Sequence, residues 1–220
     1  MNISDARKKI PDKIYELLEQ QGIKEFRPAQ VKAIKAGVFE KKNILVCTPT
    51  ASGKTKVAEF AFLKAFFDGS KSVYVVPLKA LANEKYKDFK RLYPFMKIAL
   101  SIGNLDSGDP YLVKYDLIIT TSEKLDSLIR HHAPWLPSVK CVIIDEIHLL
   151  NDAERGPTLE VLITLLKKIL KELQVIGLSA TIGNPEELAE WLGAELVIDN
   201  WRPVELKKAV LHENKLYYIK

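Results

Sequence analysis

Apolar positions along the chain fall into two alternating rhythms. Short β-branched runs occur at 43–48, 72–77, 97–102, 115–121, 141–146, 174–181 and 194–198, several of them continuous, such as Val-Tyr-Val-Val and Val-Ile-Ile. Unbroken apolar runs of this length mark strands covered on both faces, as in parallel sheets. Between them, apolar residues recur at helical spacing over 54–67, 80–92, 122–131, 158–173 and 185–192. Asn184, Pro185, Glu186 and Glu187 give the last of these a capping residue, a proline at its first position and two acids in its first turn. Gly69 and Gly193 fall where helices should stop. Strand–helix–strand alternation predicts right-handed crossovers and an α/β fold, a doubly wound, mainly parallel β-sheet with helices on both faces.

The first 40 residues carry a different pattern. An amphipathic helix over 11–21 (Ile14, Leu17, Leu18), Gly22 and a second helix from Pro28 to about Phe39 form a helical lead-in packed on the sheet. Residues 41–205 make the main domain. Asp199-Asn200-Trp201-Arg202-Pro203-Val204 then breaks the alternation, and 206–220 reads as the start of a connection to something further.

With 220 residues and 47% hydrophobic content, the chain is long enough to bury roughly 70% of its unfolded surface. Cys47 and Cys141 sit inside apolar runs, which excludes a disulfide scaffold or cysteine zinc site and marks both as small buried hydrophobes. No apolar run approaches the roughly 18 residues of a membrane span, so a cytoplasmic protein is expected, without membrane partners. The net charge of +5 is a mild pointer to a polyanion.

The sharpest chemical signal is Thr48-Pro49-Thr50-Ala51-Ser52-Gly53-Lys54-Thr55, which follows a strand and opens a helix. That context makes a phosphate-binding loop, in which successive N–H groups and the helix N-terminus cradle anions. Thr50, Ala51 and Ser52 supply loop backbone, Gly53 lets it approach the phosphates, Lys54 reaches the β- and γ-phosphates, and Thr55 binds Mg²⁺. Thr48 stands where the general pattern has glycine, so the loop is a variant. The second signal is Asp145-Glu146 at a strand tip, with Asp145 expected on Mg²⁺ and Glu146 expected to orient the attacking water. The third is Gly177-Leu178-Ser179-Ala180-Thr181, whose hydroxyls at Ser179 and Thr181 are placed to bond the acidic pair. Although 91 positions separate Lys54 from Asp145, loops at strand carboxyl ends converge on one crevice in such sheets.

Asp145-Glu146-Ile147-His148, the phosphate loop and Ser-Ala-Thr together resemble the DExH-box branch of superfamily 2 helicases, and the runs Thr121–Arg130, Asp145–Leu150 and Trp201–Val204 most closely resemble the Hjm-type archaeal DNA repair helicases. Phe26-Arg27-Pro28-Ala29-Gln30 resembles the Q-motif, Pro77–Ala82 motif Ia and Thr120–Lys124 motif Ib, so the similarity spans about residues 20–205. The resemblance implies a RecA-like P-loop NTPase fold with ATP and Mg²⁺ as ligands. It implies that Gln30 contacts adenine, that His148, Ser179 and Thr181 couple nucleotide state to nucleic acid, and that Lys79 and Thr121 touch a single strand's phosphates. Lysine and hydroxyl groups suit that task, fixing register without reading sequence.

The family works with two RecA-like domains, the second supplying arginine fingers. No Gln-x-x-Gly-Arg-x-Gly-Arg stretch occurs among these residues, and the chain's six arginines include no fingerlike pair. The expectation is therefore a first motor domain, monomeric when isolated, that binds ATP–Mg²⁺, hydrolyses it slowly and does not unwind alone. The complete protein would translocate 3′ to 5′ on single-stranded DNA in repair or recombination. An RNA helicase motor, a stand-alone nucleotide-dependent binding module and a P-loop kinase or metabolic ATPase are the alternatives.

Overall fold

A computed structural model of the chain describes residues 1–103, 108–204, 209–212 and 215–218. In chain order the elements are α1 (Asp12–Gln20), α2 (Pro28–Ala36), β1 (Ile44–Cys47), α3 (Lys54–Phe67), β2 (Lys71–Val76), α4 (Lys79–Leu92), β3 (Ile98–Ser101), β4 (Leu117–Thr121) and α5 (Ser122–Arg130). They continue with β5 (Val139–Ile144), α6 (Gly156–Ile169), β6 (Gln174–Ser179), α7 (Pro185–Leu192), β7 (Glu195–Ile198), β8 (Ala209–His212) and β9 (Lys215–Tyr218). Short 3-10 segments precede α1 (Ile3–Lys9) and follow β5 (Ile147–Asn151).

Seven strands form one sheet in the order β3-β4-β2-β5-β6-β1-β7, and every pairing within it is parallel. This is the expected doubly wound, RecA-like architecture. The strand alternation sorts side chains cleanly to two faces. Ile44, Val46, Tyr74, Val76, Cys141 and Ile143 join the core beneath α1 to α4. Leu45, Cys47, Val73, Val75, Val142 and Ile144 join the core beneath α5 to α7. Because all seven strands run the same way, their carboxyl ends open on one rim, where the loops after β1, β2, β4, β5 and β6 meet.

Local causes set the element ends. Gly193 closes α7 in the left-handed region (φ 62°), which costs an L side chain energy and glycine nothing. Asn184 stands at the N-terminus of α7, but its amide donates to Glu187 Oε2 (2.9 Å) and does not cap the helix backbone.

The N-terminal helices share a core with α3. Phe60 is fully buried, with Phe26 edge-on at 5.7 Å and Phe39 tilted at 5.4 Å between ring centroids. Ile14 and Leu18 complete this layer. Of the expected C-terminal connection, residues 206–208, 213, 214, 219 and 220 lie outside the described residues. The rest forms an antiparallel hairpin of β8 and β9, on which Val210, Tyr217 and Tyr218 are exposed. The sequence reading contained no such hairpin.

Two expectations follow from this packing. Phe60→Ala should lower unfolding free energy by about 3–5 kcal/mol, read by urea titration, because it empties a site bounded by three elements. Burial pushes the Cys47 thiol up to about 11 and the Cys141 thiol up to about 12, well above an ordinary thiol. Both thiols thus stay protonated at neutral pH, and a thiolate-selective reagent at pH 8 should label neither until the chain is denatured, after which it should label both.

Candidate nucleotide site

The loop between β1 and α3 is strapped from several sides. Thr48 N donates to Ser179 O (3.2 Å), and Thr48 Oγ1 shares a hydrogen with Ser52 Oγ (2.7 Å) inside the loop. Gln30 Nε2 donates to Gly53 O (3.2 Å), while Gln30 Oε1 accepts from Arg27 N (2.9 Å). The Arg27 guanidinium donates to Ala51 O (2.6 Å). The Q-motif residues and the phosphate loop are thus one hydrogen-bonded unit, although 23 positions separate Gln30 from Gly53. Gly53 has φ 92°, and a Cβ there would lie 2.7 Å from Gln30 Nε2 and 2.9 Å from Arg27 Cδ. Ala51 (φ 63°) and Glu146 (φ 53°) hold positive φ without being glycine, a strain of the kind stored at functional sites.

Lys54 opens α3 and is only 9% exposed. Its Nζ lies 3.7 Å from Glu146 Oε1, so the two sharpest sequence signals meet across the sheet. Asp145 is fixed on three atoms: its N–H donates to Val75 O (2.8 Å), Oδ1 accepts from Glu146 N (3.1 Å), and Oδ2 accepts from the Tyr74 hydroxyl (2.9 Å). His148 Nδ1 stands 3.3 Å from Glu146 Oε2 without hydrogen-bond alignment. From α4, Lys85 Nζ reaches Thr55 Oγ1 at 3.5 Å.

The donor set fits a hard divalent cation. Thr55 Oγ1 and the Asp145 carboxylate are oxygen donors at the anion cradle, and Mg²⁺ takes one or two protein oxygens alongside phosphate and water. Among the described residues no group of three or more His, Cys, Asp or Glu could hold a metal by itself. A Mg²⁺ ion here would be shared with nucleotide phosphates.

Other expected residues fall elsewhere. Thr50 lies exposed in the loop. Ser179 and Thr181 do not bond the acidic pair: Ser179 Oγ is buried without a hydrogen-bond partner, and Thr181 is exposed. The reason is the pleat, which registers Ser179 with Cys47 of β1 and turns its backbone carbonyl to the phosphate loop. Thr121 is also put to a different use. It is 4% exposed, and its Oγ1 accepts from Lys124 N (3.4 Å) as the N-cap of α5, so its hydroxyl does not face solvent. Lys79 is exposed as the first residue of α4, within the helix and not in a loop before it.

Three residues at the site escaped the sequence reading: Arg27 as a contact of the loop, Tyr74 and Lys85. Trp201, read from sequence as part of the break after β7, is 39% exposed with its ring 5.5 Å from the Arg27 guanidinium. Its position beside the Q-motif follows from Asp199, which accepts from Trp201 N (2.7 Å) and pairs with Lys32 of α2 (2.8 Å). An Arg in the Q-motif and a lone Trp after β7 were the available signals.

A phosphate loop facing an acidic pair across a parallel sheet defines a P-loop nucleotide-binding domain. Residues 27–188 match the DEAD/DEAH box helicase family, and the chain belongs to it. It is 54% identical over 217 residues to the ATP-dependent DNA helicase Hel308 of Methanocaldococcus jannaschii, covering 94% of this chain and 18% of that protein. It is 50% identical to Hel308 of Pyrococcus abyssi, covering 95% and 29% respectively. The crystal structure of the DUF1998 helicase MrfA bound to DNA superposes with a TM-score of 0.75 at 29% identity, over 87% of this chain and 30% of that one. A second MrfA structure, with DNA and AMPPNP, gives 0.74 at 28% identity. The chain therefore spans less than a third of the length of these relatives.

Gly156, at the start of α6, tests how tightly the segment carrying His148 is held. A Cβ there would lie 2.2 Å from Leu150 O, a backbone atom of the 3-10 turn Ile147–Asn151. Gly156→Ala should destabilise the fold by at least about 1–3 kcal/mol in thermal unfolding. A neutral result would mean that this turn yields freely.

Proposed function

We propose that this chain is the ATP-binding motor domain of an ATP-dependent DNA helicase, acting with a second RecA-like domain on single-stranded DNA. The observation that carries the reading is the approach of Lys54 Nζ to Glu146 (3.7 Å) at a loop built to receive phosphates. Lys54 and the loop N–H groups bind the β- and γ-phosphates, and Gln30, already fixed to Gly53, offers the adenine its remaining hydrogen-bonding capacity. Trp201 and Arg27 flank that position with an aromatic face and a planar cation. Glu146 orients the attacking water, and its contact with His148 connects it to the turn that follows. Thr55 and Asp145 would hold Mg²⁺, which when bound neutralises charge on the transferring phosphoryl group.

The strand partner is argued from two sources. The exposed Lys79, at the rim where α4 begins, offers a phosphate contact that is independent of sequence. The similar proteins are named as DNA helicases, and the MrfA structures hold DNA. From the Hjm-type motifs we further infer a motor that runs 3′ to 5′ in repair or recombination within the cytoplasm. The described residues include no helix long and apolar enough to cross a membrane. Hydrolysis by this chain alone is slow, because arginine fingers of the kind contributed by a partner domain are worth about 10³–10⁵ in rate.

Nucleotide binding and turnover, measured with and without single-stranded DNA or RNA, test the reading. Lys54→Ala should abolish ATP binding. Glu146→Gln should keep binding and lower the already slow turnover by about 10² or more. Fast, strand-stimulated hydrolysis by the monomeric chain would refute the half-motor reading, and a preference for RNA would replace DNA as the track.

A further inference from the structure

Tyr74 is a fully buried tyrosine in the middle of a core strand. Its neighbours on β2 are Val73, Val75 and Val76, and its ring packs against Phe89 of α4 with centroids 5.4 Å apart and planes at 64°. For packing alone a phenylalanine would serve, because a hydroxyl taken out of water costs energy unless it is bonded. Here the hydroxyl donates to Asp145 Oδ2 (2.9 Å), across 71 positions of sequence.

We propose that Tyr74 is a positioning residue for the divalent-cation site, its buried hydroxyl fixing the rotamer of the Asp145 carboxylate. The inference rests on the nucleotide–Mg²⁺ reading of the site and extends it to a residue that does not touch the ligand.

The geometry leaves Asp145 little freedom. Its backbone is tied to β2 through Val75 O, one carboxylate oxygen is held by Glu146 N and the other by Tyr74. Each oxygen keeps a second lone-pair direction for a cation. Rotation of the carboxylate to any other orientation would break at least one of the two side-chain bonds and strand a hydroxyl in the core. A carboxylate oxygen can only accept, so in this contact the Tyr74 hydroxyl is the donor.

The same layer reaches the other oxygen ligand. Phe89, which clamps the Tyr74 ring, and Lys85, which reaches Thr55 Oγ1, both belong to α4, the helix that begins with Lys79. One helix thus bears on both cation donors and presents the proposed strand-contacting lysine at its exposed end.

Tyr74→Phe removes one oxygen atom and leaves the ring in place. The readout is the Mg²⁺ concentration that half-saturates the tightening of a fluorescent ATP analogue on the chain, beside the analogue's affinity in EDTA. Tyr74→Phe should raise the half-saturating Mg²⁺ by about 10-fold or more, the usual effect of losing an outer-shell partner. Its metal-free affinity should stay within about twofold of the parent. Asp145→Asn should raise the Mg²⁺ requirement by itself, and adding Tyr74→Phe to it should change nothing further, since both remove the same coupling. Circular dichroism at the assay temperature confirms that each variant is folded. An unchanged Mg²⁺ requirement in Tyr74→Phe, with Asp145→Asn shifted, would reduce Tyr74 to packing while leaving the site reading intact. If Asp145→Asn shifts nothing and Lys54→Ala still binds nucleotide, the site reading fails and takes this inference with it.

Discussion

An ammonium group that is nine-tenths buried must be matched by negative charge, and the structure is organised around meeting that demand for Lys54. The lysine opens a helix at the end of an interior strand, and its counter-charge, Glu146, comes from a strand two places away in the sheet. That meeting requires β1, β6 and β5 to run parallel, so that their carboxyl ends share a rim. It requires a loop tight enough to pass over the helix end, hence the left-handed Gly53 with no room for a Cβ. It also requires the strand after Ile144 to turn sharply, which Glu146 does at positive φ. The pair at 3.7 Å is longer than a direct hydrogen bond, so the ammonium keeps its N–H donors for a second anion.

The lead-in is part of the same construction. Gln30 and Arg27 bond the phosphate loop through its carbonyls, and the Lys32–Asp199 pair brings the segment after β7 to the same corner. Three stretches far apart in sequence therefore meet at one corner of the crevice. Phe60 anchors this corner to α3, its buried ring packed against Phe26 and Phe39.

Much of this was legible in the sequence, for reasons that can be named. The helices Lys54–Phe67 and Pro185–Leu192 agree with the sequence reading to the residue, because each begins at a strong local signal and ends beside a glycine. All seven sheet strands were legible as short runs rich in apolar residues, because strands covered on both faces bury most of their side chains. What stayed hidden depends on side-chain direction. Ser179 and Thr121 have the right residue type at the right strand ends, yet the pleat turns one hydroxyl into the core and helix capping occupies the other. Tyr74 looks like any core aromatic until its partner 71 positions later is known. The β8–β9 hairpin escaped because its short strands flank polar residues and lack the continuous apolar signature of the sheet.

The two sealed thiols have a practical consequence. Cys47 lies directly under the phosphate loop and Cys141 at the centre of the sheet, each closed off by the packing that keeps it neutral. A chain with this arrangement can carry a newly introduced surface cysteine as its single reactive handle, with neither native residue removed. A dye attached near Lys79 would then report on the exposed first turn of α4, in a background whose core chemistry is untouched.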